Sequence, residues 1–160
     1  LIAGKMGAAL VRGIQSQHVG ASVKHFCCNN KETRRVESDS RVSERALREI
    51  YLKGFEIVVK EADPWTIMTS YNIVNGQRSS ENKDLLTNIL REEWGFGGMV
   101  TTDWWNHAEQ YLELQAGNDV KMGCGYPERL AKDVEENRIT REEIAVCAKR
   151  VLELILKVSE

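Results

Sequence analysis

With 160 residues, 42% of them apolar and 29% charged, the chain holds enough material for one domain with a real core. Its net charge of −2 argues against a nucleic-acid partner or an anionic membrane surface, and no apolar run approaches the roughly 20 residues a membrane helix needs. Cys27, Cys28, Cys124 and Cys147 show neither a CxxC pair nor a histidine at zinc spacing. Adjacent Cys27 and Cys28 could pair only with backbone strain, so the thiols read as buried small apolar residues. On composition alone that favours a reducing, cytoplasmic setting.

From the N-terminus, Met6, Ala9, Leu10 and Ile14 recur near helical spacing and predict a helix over Gly4 to Gln17. Ala21 to Phe26 is a strand ending in Lys24-His25-Phe26. The polar run from Cys28 to Arg41 lacks periodicity, and loops of that length in a compact domain are usually functional or disordered. Ser43 is an N-cap with Glu44 in the first turn. The helix behind it, to about Ala62, should bury Leu47, Ile50, Tyr51, Phe55, Val58 and Val59, and Asp63-Pro64 stops it.

Trp65 to Tyr71 is a second strand, followed by an Asn75-Gly76 turn. Leu85, Leu86, Ile89, Leu90 and Trp94 mark the next helix, closed by Gly95. Met99 to Asp103 is a β-branched strand after Gly97-Gly98, and a helix to Ala116 follows it. Asp119 to Met122 predicts a fourth strand. Thr140-Arg141-Glu142-Glu143 is a capping box, with Ile144, Cys147, Val151, Leu154, Ile155 and Val158 as the stripe behind it. Strands alternating with helices imply parallel pairing with helical crossovers, an α/β fold. About four parallel βα units preceded by one helix amount to half of a closed barrel, a single partial domain over residues 1–160.

Polar chemistry gathers where the strands end. Lys24 and His25 close the first, Arg35 lies in the loop after it, Tyr71 and Asn72 close the second, and Asp103 and Trp104 the third. In parallel strands these ends share one rim. A carboxylate with cationic and imidazole donors beside an aromatic face suits a polyhydroxylated ligand. Each residue alone has a plainer reading. Asp103 could cap the next helix, His25 could be a hydrogen-bonded core histidine, Arg35 a solvated charge and Tyr71 a lid on the core.

The motifs weigh against the plainer readings. Lys24-His25-Phe26 is followed by Asn29-Asn30 with Glu32, Thr33 and Arg35, then by Ser38-Asp39-Ser40 running into Val42 to Tyr51. Met68 with Ser70-Tyr71-Asn72 and Asn75-Gly76 come next, then Leu90-Arg91 with Glu93-Trp94-Gly95-Phe96, and finally Thr102-Asp103-Trp104. In this order they closely resemble glycoside hydrolase family 3, in its retaining β-glucosidase branch. The resemblance implies the C-terminal half of a (β/α)8 TIM-type barrel. It implies that Asp103 is the nucleophile and that Lys24, His25, Arg35 and Tyr71 line the subsite for the non-reducing sugar. It implies further that Met68 and Trp104 shape that pocket, with no metal and no cofactor.

What the resemblance implies of the reaction is double displacement on a terminal β-glucosyl residue, through a covalent glycosyl-Asp intermediate and with a second carboxyl group about 5–5.5 Å from the first. That acid/base belongs to a following domain in the family, and an Asp and an Arg of the sugar clamp belong to the first half-barrel. The expected partners are therefore a β-glucoside or oligosaccharide, the N-terminal half-barrel and a C-terminal acid/base domain. Alone, the chain would be strongly impaired, or a non-catalytic half-barrel that self-associates through its edges. Cys27-Cys28 after Phe26 replaces the loop that carries a histidine acid/base in the acetylglucosaminidase branch. Trp105 stands where small residues are common in the family. Trp65, Trp94 and Trp105 are expected to pack, and His18, Glu32 and His107 to have no catalytic part.

Overall fold

The computed structural model describes residues 1–123 and 125–159; Cys124 and Glu160 lie outside the described residues. Helix α1 (Ile2–Gln15) leads into strand β1 (Ser22–Phe26). The short β2 (Asp39–Ser40) precedes a helical run made of α2 (Glu44–Ala46), a widened π-helical turn (Leu47–Tyr51) and α3 (Lys53–Ala62). Strand β3 (Thr66–Thr69) is followed by β4 (Ile73–Val74) and β5 (Gln77–Arg78). A 3-10 turn (Ser79–Glu81) and a π-helical segment (Asp84–Glu93) lead to β6 (Met99–Thr101). Helices α4 (Gln110–Ala116), α5 (Pro127–Glu135) and α6 (Arg141–Ser159) complete the described chain. No helix among the described residues is long and apolar enough to cross a membrane.

The main sheet is parallel, in the order β1-β3-β6, with Val23 opposite Ile67 and Ile67 opposite Val100. Each crossover carries a helix, so both sheet faces can be covered and the strands can be apolar throughout. Ile67, Val100 and Phe26 are fully buried against Leu85, Leu86, Ile89 and Leu90 of the π-helical segment. Phe26 meets Phe55 edge-on at 5.1 Å and Trp94 at 6.1 Å. Gly98 opens β6 because a Cβ there would run into the Trp65 carbonyl and the Phe96 ring.

The expected fourth strand is a correction: Asp119 to Met122 forms only a single bridge, Thr101 to Val120. The chain still lies along β6, with Asp119 N and Val120 N donating to Val100 O and Thr102 N to Val120 O, and side chains extend the contact on either side. The Asp119 carboxylate accepts from Val100 N (2.8 Å) and the Thr102 hydroxyl from Met122 N (2.9 Å). Arg91 and Arg150 converge on the same buried Asp119, each at 2.8 Å. A residue whose carboxylate is satisfied this way stays next to the strand without extending it.

Three apolar faces also differ from expectation. In α1 the buried residues are Gly4, Ala8 and Val11, while Met6, Leu10 and Ile14 are exposed. Small residues win because α1 lies close on α3: a Cβ at Gly4 would stand 3.0 Å from Gly54 O, and one at Gly7 3.0 Å from Val58. Ile50 is 68% exposed, since the wide turn closed by Leu52 N to Leu47 O (2.8 Å) shifts the helical phase by one residue and buries Leu52 instead. In α6 only Cys147 of the predicted stripe is buried, and Ile155 and Val158 are exposed. That helix packs only its first half, Ile144 and Cys147 against Leu114 and Ile139, and is held further on by the Arg150–Asp119 bond rather than by a continuous apolar seam.

The polar segment after β1 is ordered. Its β2 pairs in parallel with β4, and β4 and β5 form a hairpin about Asn75-Gly76, both at positive φ (50° and 93°). The Asn75 side chain accepts from Val42 N and donates to Val42 O, both at 2.9 Å, which ties the hairpin to the loop ahead of α2. Cys27, Cys28 and Cys147 are buried free thiols, as expected; Cys124, expected with them, is outside the described residues. The capping box forms as read: Glu143 N donates to Thr140 Oγ1 (3.1 Å) and Thr140 N to Glu143 Oε2 (2.8 Å).

Candidate active site

Residues that leave the C-terminal ends of β1, β3 and β6 meet on one rim, the place where open parallel sheets bind ligands. Asp103 follows β6 by two residues, and its Oδ1 accepts from Trp104 N at 2.8 Å. That bond fixes one carboxylate oxygen and leaves Oδ2 turned towards His25, whose Nε2 lies 3.5 Å away. The separation is longer than a good hydrogen bond, so both groups keep capacity for a third partner. The Asp103 side chain is 14% exposed.

Burial pushes the His25 imidazole below its ordinary pKa. Asp103 opposes this, Lys24 and Arg35 add to it, and Glu32 opposes it again. His25 is therefore neutral at pH 7 and able to donate from one ring nitrogen and accept at the other. Its neighbouring peptide bonds, Lys24–His25 and Phe26–Cys27, are cis, and the β1–β3 register shifts between Val23 and Phe26.

Tyr71 is the organising side chain. It is buried just past the end of β3, and its phenol oxygen accepts from Trp104 N (3.1 Å) and Trp105 N (3.2 Å). One hydroxyl therefore holds both amides that follow Asp103. The Arg35 guanidinium lies over the Tyr71 ring, its Cζ 4.7 Å from the ring centre. Arg35 Nη1 also bonds Glu32 Oε2 at 2.8 Å, and Asn29 Nδ2 reaches Glu32 Oε1 at 3.3 Å. The long loop after β1 thus delivers a cation to the site while occupying its own carboxylate.

The structure joins Asp103, His25, Tyr71, Arg35 and Trp104 in one connected cluster. Lys24 is exposed beside His25 and acts on it through charge. Met68 stands on β3 opposite Thr101, half-buried, on the other side of the strand from Ile67 and Thr69. Trp65 and Trp94 pack as expected, but Trp105 does not: it is 72% exposed, because the loop is held through its backbone amides rather than through its ring. His107 also lies at the mouth, in an open groove with Glu32 and Arg35.

Sequence reasoning missed a second group of residues under this loop, Asn106, Glu113 and Lys121, all bonded to one another. Their spacing of seven and eight residues matches no local motif. The only sequence signal was a Glu on the inner side of a short helix, with a Lys following the bridge to β6.

Comparison with known proteins gives this rim a context. The family described as "Glycosyl hydrolase family 3 N terminal domain" matches residues 1–154. Beta-glucosidase A of Butyrivibrio fibrisolvens is 59% identical over 143 residues, covering 89% of this chain and 17% of that protein. An exo-alpha-(1->6)-L-arabinopyranosidase of Bifidobacterium breve is 43% identical over 98% of this chain and 21% of its own length. Beta-glucosidase 3B from Thermotoga neapolitana, solved in complex with glucose, superposes with a TM-score of 0.94 at 42% identity, over 96% of this chain and 23% of that one. The chain spans about a fifth of the length of the curated relatives it matches. With its α/β architecture, parallel sheet and nearly full-length match, this chain belongs to glycosyl hydrolase family 3.

Proposed function

We propose that these residues are the second half of a (β/α)8 barrel in a retaining, exo-acting β-glucosidase, with Asp103 as its nucleophile. The observation that carries the reading is the joint placement of Asp103 and His25, 3.5 Å apart, on a rim whose loop is pinned by Tyr71. Asp103 Oδ2 attacks the anomeric carbon and the glycosidic bond breaks. The leaving oxygen takes a proton from an acid outside these residues, and water later releases the sugar. His25, Lys24 and Arg35 hold sugar hydroxyls through neutral and charge-assisted bonds, with Met68 and Trp104 shaping the pocket. Glu32 is not the acid in this reading, since Arg35 and Asn29 already occupy it.

The test uses the complete protein and an activated 2-deoxy-2-fluoroglucoside, which slows the second step and traps the first. One sugar should attach per chain, on the peptide containing Asp103, and Asp103→Asn should abolish the label. Label on another residue, or undiminished turnover in Asp103→Asn, would overturn the assignment.

A second reading concerns the chain in isolation. Leu1, Ile2, Met6, Leu10 and Ile14 are exposed at and along α1, and Leu152, Ile155, Leu156 and Val158 on α6. Such rows on the two flanking helices support pairing with a second copy, as one half-barrel with another. Sedimentation of the 160-residue chain should give twice the monomer mass; a monomer across the micromolar range would sink this reading.

A further inference from the structure

Under the loop that follows Asp103 lies a charge pair far from solvent. Glu113 of α4 is 1% exposed, and Lys121 follows the bridge to β6; their side chains are 2% and 5% exposed. The Lys121 ammonium has three donors and three acceptors in place: Glu113 Oε2 (2.8 Å), Asn106 Oδ1 (2.6 Å) and Ala108 O (3.2 Å). Glu113 Oε1 in turn accepts from Asn106 Nδ2 at 2.6 Å. The Asn106 amide is therefore caught at both ends, and it also reaches Ser80 Oγ at 3.3 Å.

Such a pair is a poor way to gain stability. Two ions leave water, and well-packed apolar residues of the same volume often do as well or better. Burial raises the Glu113 carboxyl above its ordinary pKa even with Lys121 beside it. What ions provide is direction: three bonds from one ammonium set where Asn106 and Ala108 sit relative to β6. Asn106 is three residues after Asp103, and Trp104 and Trp105 between them are pinned from the other side by Tyr71.

We propose that Lys121 and Glu113, gripping Asn106 and Ala108, form a positioning clamp that holds the Asp103 loop in attack geometry against the Tyr71 hydroxyl. The proposal rests on the nucleophile reading of Asp103. A displacement of about 1 Å at a reacting group can cost about 100-fold in rate, so the clamp acts on turnover more than on sugar binding.

The experiment compares Lys121→Met with the double variant Lys121→Met/Glu113→Leu in the complete protein. The single variant strands a buried carboxylate and should unfold at lower temperature; the double variant should recover its unfolding temperature. With stability restored, kcat should still be lower by about 10- to 100-fold, with KM changed by less than about threefold. Amide hydrogen exchange should quicken at residues 104–108 and stay slow in β3 and β6. A double variant with wild-type kcat, or with unchanged exchange at 104–108, would refute the clamp. Should the double variant not fold, Asn106→Ala leaves the ion pair in place and must show the same kcat loss and the same local exchange; wild-type values there refute the clamp equally. Failure of the fluoroglucoside to label Asp103 in the unaltered protein would instead strike the nucleophile reading, while the exchange result continues to judge the clamp.

Discussion

The two ends of the parallel sheet use polar side chains in opposite ways. Ahead of β3, at the N-terminal end, they close backbone gaps. Gln15 Nε2 donates to Asp63 O (3.1 Å) and Ala62 O (3.4 Å), its Oε1 accepts from Trp65 N (2.9 Å), and Arg12 donates to Glu61 O (3.2 Å). At the other end, past β1, β3 and β6, His25, Asp103 and Arg35 keep atoms aimed outward. Tyr71 is taken up there by the backbone amides of the Asp103 loop, Asp103 Oδ1 by Trp104 N and Glu32 by Arg35, while His25 Nε2 and Asp103 Oδ2 remain 3.5 Å apart. A cavity of about 230 Å³ also lies at the N-terminal end, beside Trp65 and Gly98, and its charged lining is paired: Lys157 with Asp63, Arg150 with Asp119 and Glu153 with Lys149. What sets the candidate rim apart is a pair of polar atoms at strand ends, His25 Nε2 and Asp103 Oδ2, which face one another at 3.5 Å with capacity for a further partner.

The contrast can be broken by substitution at each end. The largest effect is expected at the rim. Tyr71→Phe leaves the Trp105 amide without its acceptor and Trp104 N with Asp103 Oδ1 alone, and should lower kcat/KM of the complete protein by about 100-fold. Stability should fall by only about 1–3 kcal/mol in the same variant. If activity falls no further than the folded fraction does, Tyr71 is structural and the contrast fails. At the opposite end, Gln15→Ala should cost about 2 kcal/mol in denaturant unfolding, with kcat per folded molecule unchanged.

Smaller effects sharpen the picture. Thr140→Ala removes the capping box of α6 and should destabilise by about 1 kcal/mol, with no change in activity. For His25, NMR titration should place the midpoint below the ordinary histidine value of 6.5, chiefly because burial disfavours its charged form. Below pH 6.5 the unfolded chain then binds this proton more readily than the folded one. Stability therefore falls as pH drops from 6.5 through the folded midpoint, and is unaffected by this group at higher pH. His25→Asn should remove that part of the acid sensitivity; a midpoint at or above 6.5 would mean Asp103 outweighs burial.

Much of the candidate site was legible because the residues that could carry its chemistry sit at or near strand ends, and strand ends are marked locally. Lys24-His25 closes an apolar run, Asp103 closes another, and Asn75-Gly76 announces its own turn through the positive φ both residues adopt. What could not be read was the support. Asn106, Glu113 and Lys121 carry no motif, and only folding α4 back beside β6 brings them together. Trp105 failed for a related reason. Large aromatic rings usually pack, but this one is carried outward by a loop held through its amides.

By itself, then, the sequence determined the alternation of strands and helices, the capped start of α6, the Asn75-Gly76 hairpin and the residues gathered at the rim. The elements, the cap and the hairpin depend on interactions within a few positions, where spacing and residue type suffice, and the rim follows from parallel strands that end on the same side. Tertiary structure alone decided which face of α1 is buried, how the wide turn swings Ile50 outward, why Asp119 to Met122 forms a bridge instead of a strand, and that α6 docks through Arg150. Apart from the wide turn, closed by Leu52 N to Leu47 O, those outcomes depend on partners 19 or more positions away, such as Val100 for Asp119 and Gly54 for Gly4, and local pattern carries no record of them.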